Sequence, residues 1–382
     1  MDNTLQIRSC NPISLTVFGM GPFQEKPFQL DFTNEKDEGC NFFLLISPNG
    51  RGKTTLLEAM SSLMQILAPH SIPSASELHP RLWSNFKAQA QLDLRLSINF
   101  EGVVQEILLT LAAGRRHPQN LRNWELSDLK RVQTTVQISI AWSRSPAGWQ
   151  IVKSNDPLVD KLLTLVKSET KEVYSTFGPD PITAPSLLYF DAYRDIPLVI
   201  DGQKSISRPE EWTYWPVHRF GLHGDQWLHS LDNLLVWLTW LNDKRYKEVQ
   251  NLLNDTVFNY TNKTLNDIDR QKLIARINSD TRNHRLDQLS SGEKSMVQLL
   301  IRIHLHLATH SIIVIDELDA HLHPKWQHRL YQVLKNLIAQ NPSLTLIITT
   351  HSLELVKQFD VDRKLSEENL RFGGYMIEKN EI

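Results

Sequence analysis

Residues 42–55 read FFLLISPNGRGKTT, and this stretch restricts the fold more than any other. An apolar strand runs directly into a Gly-rich turn that ends in Lys-Thr-Thr. From Lys53 to Leu67 the apolar positions Leu56, Leu57, Met60, Leu63, Met64 and Leu67 recur at three and four, the spacing of a helix with one buried face. Strand, loop and helix in that order make a phosphate cradle. Gly50 and Gly52 permit backbone conformations that aim successive N–H groups at an anion, and the helix N-terminus adds partial positive charge at the same place. Lys53 is then placed for β- and γ-phosphates, Thr54 for Mg²⁺ and Thr55 for the α-phosphate side, with Asn49 and Arg51 completing the loop. Ser47 stands where the usual pattern has Gly, so either a small side chain fits there or the turn is strained.

A second signal lies far downstream. Ser311–Glu317 reads SIIVIDE, a run of branched apolar residues that closes on two carboxylates. A buried parallel strand ending this way presents both acids at the carboxyl edge of its sheet, where such folds bind ligands. Asp316 is a candidate for holding Mg²⁺ through water, and Glu317 for taking a proton from an attacking water. Upstream, Leu289–Ser295 (LSSGEKS) opens a helix predicted to reach about Ala308. Ser291, Gly292 and the free N–H groups of its first turn offer another anion cradle.

Around these motifs the N-terminal part reads as strands: Ile13–Phe18, Phe42–Ser47, Leu92–Phe100 and Val104–Leu111, the last two a hairpin across Glu101-Gly102. Thr134–Trp142 and Trp149–Val152, separated by 143–148, read as another. Pro179, Pro181 and Pro185 precede a short buried strand, Leu187–Phe190. The spacing then predicts helices at about Trp227–Leu241 and Lys244–Asn259 inside a predominantly helical lobe, 205–309. Strand Ser311–Asp316, a helix from Pro324 to about Gln340, strand Leu344–Thr350 and a helix from Ser352 complete the pattern, leaving room for one or two closing strands.

Composition narrows the function classes. Lys+Arg 41 against Asp+Glu 43, a formal net charge of −2, excludes a protein that coats nucleic acid by bulk charge but not one with a local basic groove. Two cysteines, Cys10 and Cys40, make neither a disulfide framework nor a metal site and fit a reducing compartment. No leader is visible at Met1, and the apolar run Leu234–Leu241 is far too short to span a bilayer. The expectation is a cytoplasmic protein with no membrane partner.

Phosphate loop SPNGRGKTT, signature LSSGEKS, acidic strand IIVIDE, the triplet Leu318-Asp319-Ala320 and His351 in LIITTHS follow the order of ATP-binding-cassette (ABC) ATPases, which this chain resembles. The wording DELDAHLHPKWQ followed by ITTHSLELV is similar to the small AAA-type branch of that superfamily. That branch includes recombination, chromosome-maintenance and antiphage-defence ATPases, among them overcoming-lysogenization-defect and Septu-type proteins; the run LDNLLVWLTWL resembles the latter too. The resemblance implies an α/β fold of the P-loop NTPase type. Its central sheet would be mixed, with an N-terminal antiparallel portion and an inserted helical lobe. The implied division is an ATPase lobe made of 1–204 and 310–382, with 205–309 as the helical lobe.

It further implies a head-to-tail dimer, or a higher oligomer, around two ATP molecules. Lys53, Thr54, Thr55, Asp316, Glu317 and the γ-phosphate sensor His351 of one subunit would face Ser291 and Gly292 of the other, with Asp319 at the seam. Gln89 or Gln91 would be the glutamine of the nucleotide site, and Phe18 or Phe23 the adenine-stacking aromatic. The implied function is an ATP-hydrolysing switch of an antiphage defence system working with a separate effector such as a nuclease. The alternative is a DNA clamp of the recombination kind. A transporter subunit is disfavoured, because such subunits keep loop and signature close while here most of the chain separates Lys53 from Leu289.

Other features have plainer readings. His321 and His323 fit a tight connection into the helix at Pro324 better than a metal site. His304, His306 and His310 read as structural or solvent-facing positions on the signature helix. The pairs Arg115-Arg116 and Lys130-Arg131 read as a solvated rim, with a nucleic-acid backbone as the alternative. The Trp-rich helix is buried in its lobe or against a partner, and Arg194 offers a salt bridge or a phosphate contact.

Overall fold

Alternate residues of the central strands face two different cores, and that period-two pattern organises the molecule. The structure is a computed structural model describing residues 5–68, 80–115, 121–145, 148–169, 182–199, 204–221, 226–259, 261–280, 282–365 and 368–377. In chain order its first elements are β1 (Gln6–Phe18), β2 (Phe28–Asp31), β3 (Phe42–Ile46), α1 (Lys53–Met64), α2 (Pro80–Trp83), β4 (Gln89–Phe100) and β5 (Val103–Arg115). Next come α3 (Leu126–Arg131), β6 (Val136–Ser145), β7 (Gly148–Lys153), α4 (Pro157–Ser168), β8 (Ser186–Phe190), β9 (Val217–Phe220), α5 (Leu231–Leu241) and α6 (Lys244–Leu253). The chain continues with β10 (Lys263–Asp269), β11 (Ile274–Ser279), β12 (Asn283–His284), α7 (Ser291–His306), β13 (Ser311–Ile315), α8 (Pro324–Gln340), β14 (Thr345–Thr350), α9 (Leu353–Leu365) and β15 (Phe372–Met376).

The central sheet has the order β15-β3-β14-β13-β8-β9, and every neighbouring pair in it is parallel. The expected mixed pairing is found instead in the other six-stranded sheet, β2-β1-β4-β5-β6-β7, where β5 and β6 run parallel and the remaining pairs antiparallel. The reason is connectivity. Each central strand is entered through a long crossover, whereas β4–β5 and β6–β7 are tight hairpins. Glu101 and Gly102 both take positive φ (53° and 82°), the turn whose twist matches the flanking strands.

Phe42, Leu44, Leu188, Phe190, Ile313, Ile315, Leu346 and Ile348 pack toward α5 to α9, while Phe43, Leu45, Leu187, Tyr189, Ile312, Val314 and Ile347 pack toward α1 and the first sheet. Strands buried on both faces read as continuous apolar runs, and these do. Because all six run the same way, Ser47, Asp191, Asp316 and His351 emerge at one carboxyl edge. Register sets their neighbours: Ile315 lies beside Phe190 and Ile348, and Thr350 beside Ile46.

The stretch 205–309 is less helical than expected. β9 joins the central sheet, and β10-β11-β12 form a small sheet of their own. Leu265 and Ile268, the buried residues of β10, stand three apart because the ladder slips between them. That spacing imitates a helix and hides the strand. α5 starts at Leu231, after a single 3-10 turn at Trp227–His229, and α6 passes into a π turn at Asn254–Phe258. The signature helix α7 ends at His306, so His310 lies beyond it, buried with its imidazole Nε2 3.0 Å from Ile7 O. His306 is buried against His218 and Phe220. Pro179, Pro181 and Arg116 lie outside the described residues.

α8 and α9 are joined by a buried ion pair, Lys335 Nζ to Asp362 Oδ1 at 3.1 Å, with both side chains under a tenth exposed. Removing one partner strands the other charge away from water. Lys335→Met should lower unfolding free energy by about 3–5 kcal/mol in urea titration, and adding Asp362→Leu should restore most of it; equal stabilities of the single and double variants would contradict this.

Candidate functional site at the carboxyl edge of the parallel sheet

Between β3 and α1 the loop turns on two left-handed glycines, Gly50 (φ 75°) and Gly52 (φ 89°). At Gly52 the constraint is also spatial, since a β-carbon there would lie 2.6 Å from the Phe23 ring. Phe23 is therefore a buried support beneath the loop, stacked on Phe28 at 4.6 Å, and has no free face for an adenine. Ser47 fits without positive φ. Its carbonyl accepts from Lys53 Nζ at 2.9 Å and its hydroxyl lies 3.3 Å from the same ammonium. Asn49 and Gly50 are exposed, Arg51 and Gly52 half-buried, and Thr54 exposed at the helix start. Thr55 packs against Gly21, whose β-carbon would meet the Thr55 hydroxyl at 2.6 Å.

Asp316 lies across from this loop. Thr54 Oγ1 donates to Asp316 Oδ2 at 2.6 Å, across 262 positions of sequence, and Thr349 Oγ1 donates to Asp316 Oδ1 at 2.6 Å. The same Thr349 hydroxyl accepts from Glu317 N at 2.7 Å. Glu317 adopts φ 48°, a left-handed conformation uncommon for a residue with a β-carbon, and starts a turn held by Ala320 N to Glu317 O at 2.9 Å. Asp319 Oδ1 accepts from Thr350 Oγ1 and, at 3.1 Å, from His351 N. Glu317 Oε1 and His351 Nε2 stand 3.4 Å apart, both partly exposed to solvent.

The electrostatics follow from this crowding. Burial pushes the Lys53 ammonium below its ordinary pKa, while Asp316, Glu317 and Asp319 pull it back up. Asp316 is buried with both oxygens taken by hydroxyl donors. Carboxylate and hydroxyl oxygens are the hard donors that Mg²⁺ takes, so Thr54 and Asp316 fit that ion, with a triphosphate supplying further oxygens. Among the described residues no group of three or more His, Cys, Asp or Glu could hold a metal alone. His323 caps α8, accepting from Lys325 N at 3.4 Å through Nδ1.

The structure thus gathers Lys53, Thr54, Asp316, Glu317, Asp319 and His351. Ser291, exposed, and Gly292, half-buried, open the first turn of α7, and a β-carbon on Gly292 would lie 3.3 Å from His321 O. A capping box fixes that turn: Glu293 N donates to Ser290 Oγ at 3.4 Å and Glu293 Oε2 accepts from Ser290 N at 3.0 Å. Lys263 of β10 donates to both carboxylate oxygens of Glu293, each at 2.9 Å. Gln91 is no ligand candidate; its amide is occupied by Asp93 and by Arg122 N and O. Gln89 begins β4, opposite Gly114. Arg131 pairs with Asp37 at 3.4 Å on the surface.

Motif reading passed over Thr349, while Arg194, read above as a salt bridge or a phosphate contact, is found holding backbone. The threonine is recognisable as a hydroxyl on the last turn of a buried strand, one position before the Thr350-His351 step. Among the described residues the arginine has no carboxylate ion-pair partner; it bonds backbone carbonyls of the acidic strand end. Thr349→Val leaves an Asp316 oxygen and the Glu317 N–H without their partner. The expected cost is roughly 1–3 kcal/mol of stability by chemical denaturation; a variant as stable as the parent would show that water replaces the hydroxyl.

Residues 229–357 match the family model described as "AAA domain, putative AbiEii toxin, Type IV TA system". The chain is 22% identical to "Retron Vc95 probable ATPase" of Vibrio cholerae serotype O1 biovar El Tor, across 90% of this chain and 72% of that protein. It is 22% identical to "Septu protein PtuA" of Bacillus thuringiensis, across 84% of this chain and 68% of the other. Among solved structures it matches the dimeric post-hydrolysis state of an ATP-binding cassette bound to ADP and Pi, at 11% identity and TM-score 0.31 over 92% of this chain and 90% of that one. That superposition is loose, and the fold assignment stands on the parallel sheet and its phosphate loop. No helix among the described residues is long and apolar enough to cross a membrane. Over residues 229–357, then, the chain is similar to an AAA domain, and the proteins it resembles include a retron probable ATPase and a Septu protein.

Proposed function

We propose that the chain binds and hydrolyses ATP between two copies of itself and serves as the ATP-driven switch of an antiphage defence system. The observation that carries this reading is the Thr54–Asp316 contact at 2.6 Å, which joins a phosphate loop to an acidic strand end. In this reading the backbone of Asn49, Gly50, Arg51 and Gly52 faces the phosphates, with Lys53 on the β- and γ-oxygens and Thr55 on the α-phosphate side. Thr54 and Asp316 hold Mg²⁺, which when bound neutralises charge on the transferring phosphoryl group. Glu317 accepts the proton of the attacking water as the γ-phosphoryl–oxygen bond breaks, giving ADP and phosphate. His351 donates a hydrogen bond to the γ-phosphate, and Asp319 orients the turn it stands on.

In this reading Ser291 and Gly292, at the N-terminus of α7, serve the partner's triphosphate in a site shared head to tail. The second copy would bring its α7 to the open face of the triphosphate, so two helix N-termini meet the γ-phosphate charge. Residues 1–204 and 310–382 then act as the nucleotide lobe and 205–309 as the lobe that α7 closes. The retron and Septu names of two relatives support the defence setting, and a separate effector protein belongs to the same reading. Trp240, 56% exposed and stacked on Trp237, offers such a partner an aromatic surface on the α5 side of that lobe.

Glu317→Gln should keep ATP affinity and slow hydrolysis by about 10²–10⁴-fold in a phosphate-release assay, the usual weight of a general base; parental turnover would place the base elsewhere. Ser291→Arg should leave ATP binding intact and abolish ATP-dependent association in light scattering. An unaltered ATP-induced dimer in that variant would end the shared-site reading.

A further inference from the structure

β8 ends at Phe190 beside Ile315, so the residues that follow it, Asp191 to Asp195, leave the sheet next to the acidic strand end. Arg194 of this segment is only 5% exposed. Its guanidinium spans three pieces of chain. Nη1 donates to Asp191 O and to Asp316 O, each at 2.7 Å, Nη2 donates to Glu317 O at 2.8 Å, and Nε donates to Ser295 Oγ at 3.0 Å. Ser295 lies on α7, one turn beyond Ser291. The same helix grips the segment twice more: Lys294 Nζ pairs with Asp195 Oδ1 at 2.8 Å, and Gln298 Nε2 donates to Asp195 O at 2.9 Å.

A planar fork with donors on three nitrogens is what such a junction needs, and a lysine could not supply it. Two of the three carbonyls it holds belong to Asp316 and Glu317, which the proposed reading assigns to the metal and to the attacking water. Glu317 is thereby clamped from both sides of its left-handed backbone, its N–H by Thr349 and its carbonyl by Arg194. Burial lowers the Arg194 pKa to about 10, with the surrounding carboxylates opposing the shift, so the fork stays charged at neutral pH.

We infer that Arg194 is a positioning residue that couples the placement of α7 to the orientation of Glu317 within one chain. Occupation of a chain's own γ-phosphate place and presentation of its Ser291–Gly292 turn to the partner then change together. This deepens the shared-site reading above and rests on it.

Ser295→Ala tests the link, because it deletes the helix end of the fork and leaves the three carbonyl bonds in place. Thermal melting, ATP titration, steady-state hydrolysis and light scattering with ATP are to be measured on the full chain. Expected are unchanged ATP affinity, a kcat about 10-fold lower at constant KM, and ATP-dependent association weakened by a similar factor, the worth of one hydrogen bond to a charged group. Arg194→Lys, which keeps the charge and loses the fork, should show the larger loss in kcat and association. Should that variant fail to fold, Ser295→Ala decides alone. A lowered melting temperature with parental kcat and association would reduce the bridge to scaffolding and overturn the inference. Parental protein that neither associates with ATP nor hydrolyses it would sink the underlying reading, and the coupling with it; the parental measurement tells the two failures apart.

Discussion

The site depends on a hydrogen bond between residues that the chain itself keeps far apart. Thr54 lies in the first turn of the helix after β3 and Asp316 directly follows β13, and they meet because both strands run in one direction with β14 between them. Parallel order turns the carboxyl edge into a row: loop, histidine turn, acidic pair and arginine segment stand side by side. An antiparallel strand in that row would replace one of these groups with a strand start. The crossovers that parallel order demands are covered by helices on one face and by α1 with the first sheet on the other. Both faces are consequently dry over β3, β13 and β14, whose polar side chains are confined to the strand ends.

The carboxylates at the edge are managed by neutral donors more than by cations. Threonine hydroxyls satisfy both oxygens of Asp316, and Asp319 takes a hydroxyl and a backbone N–H. Lys53 meanwhile turns back on the Ser47 carbonyl. Each of these bonds is one that an incoming anion and a divalent ion can replace in kind. The polar groups are positioned without being locked into strong ion pairs, which would have to be broken first.

Much of this was legible in the residues. The loop, α1, the acidic strand and the hairpin at Glu101-Gly102 were readable because local chemistry decides each: glycine conformational freedom, apolar periodicity, a two-residue turn. The small sheet within 205–309 was not, since β10 buries only Leu265 and Ile268 across a slip in its ladder and otherwise shows solvent-facing polar residues. β9, four residues long, carries no pattern of its own and is a strand only because β8 is there to pair with it. At the site, most residues could be named from type and spacing, whereas the contacts of Thr349 and Arg194 with the backbone of Glu317 depend on strand register. Phe23 misled for a related reason: an aromatic near a phosphate loop serves equally well as a ligand surface or as foundation.

That foundation sets the direction in which the loop can yield. Beneath Gly52 the Phe23 ring leaves no room even for a methyl group, while nothing lies within 4 Å of where a β-carbon on Gly50 would stand. The loop therefore rests on a hard floor under an open ceiling. A polyanion settling from the solvent side meets no side chain at Gly50, so the loop's exposed turn is left open to it.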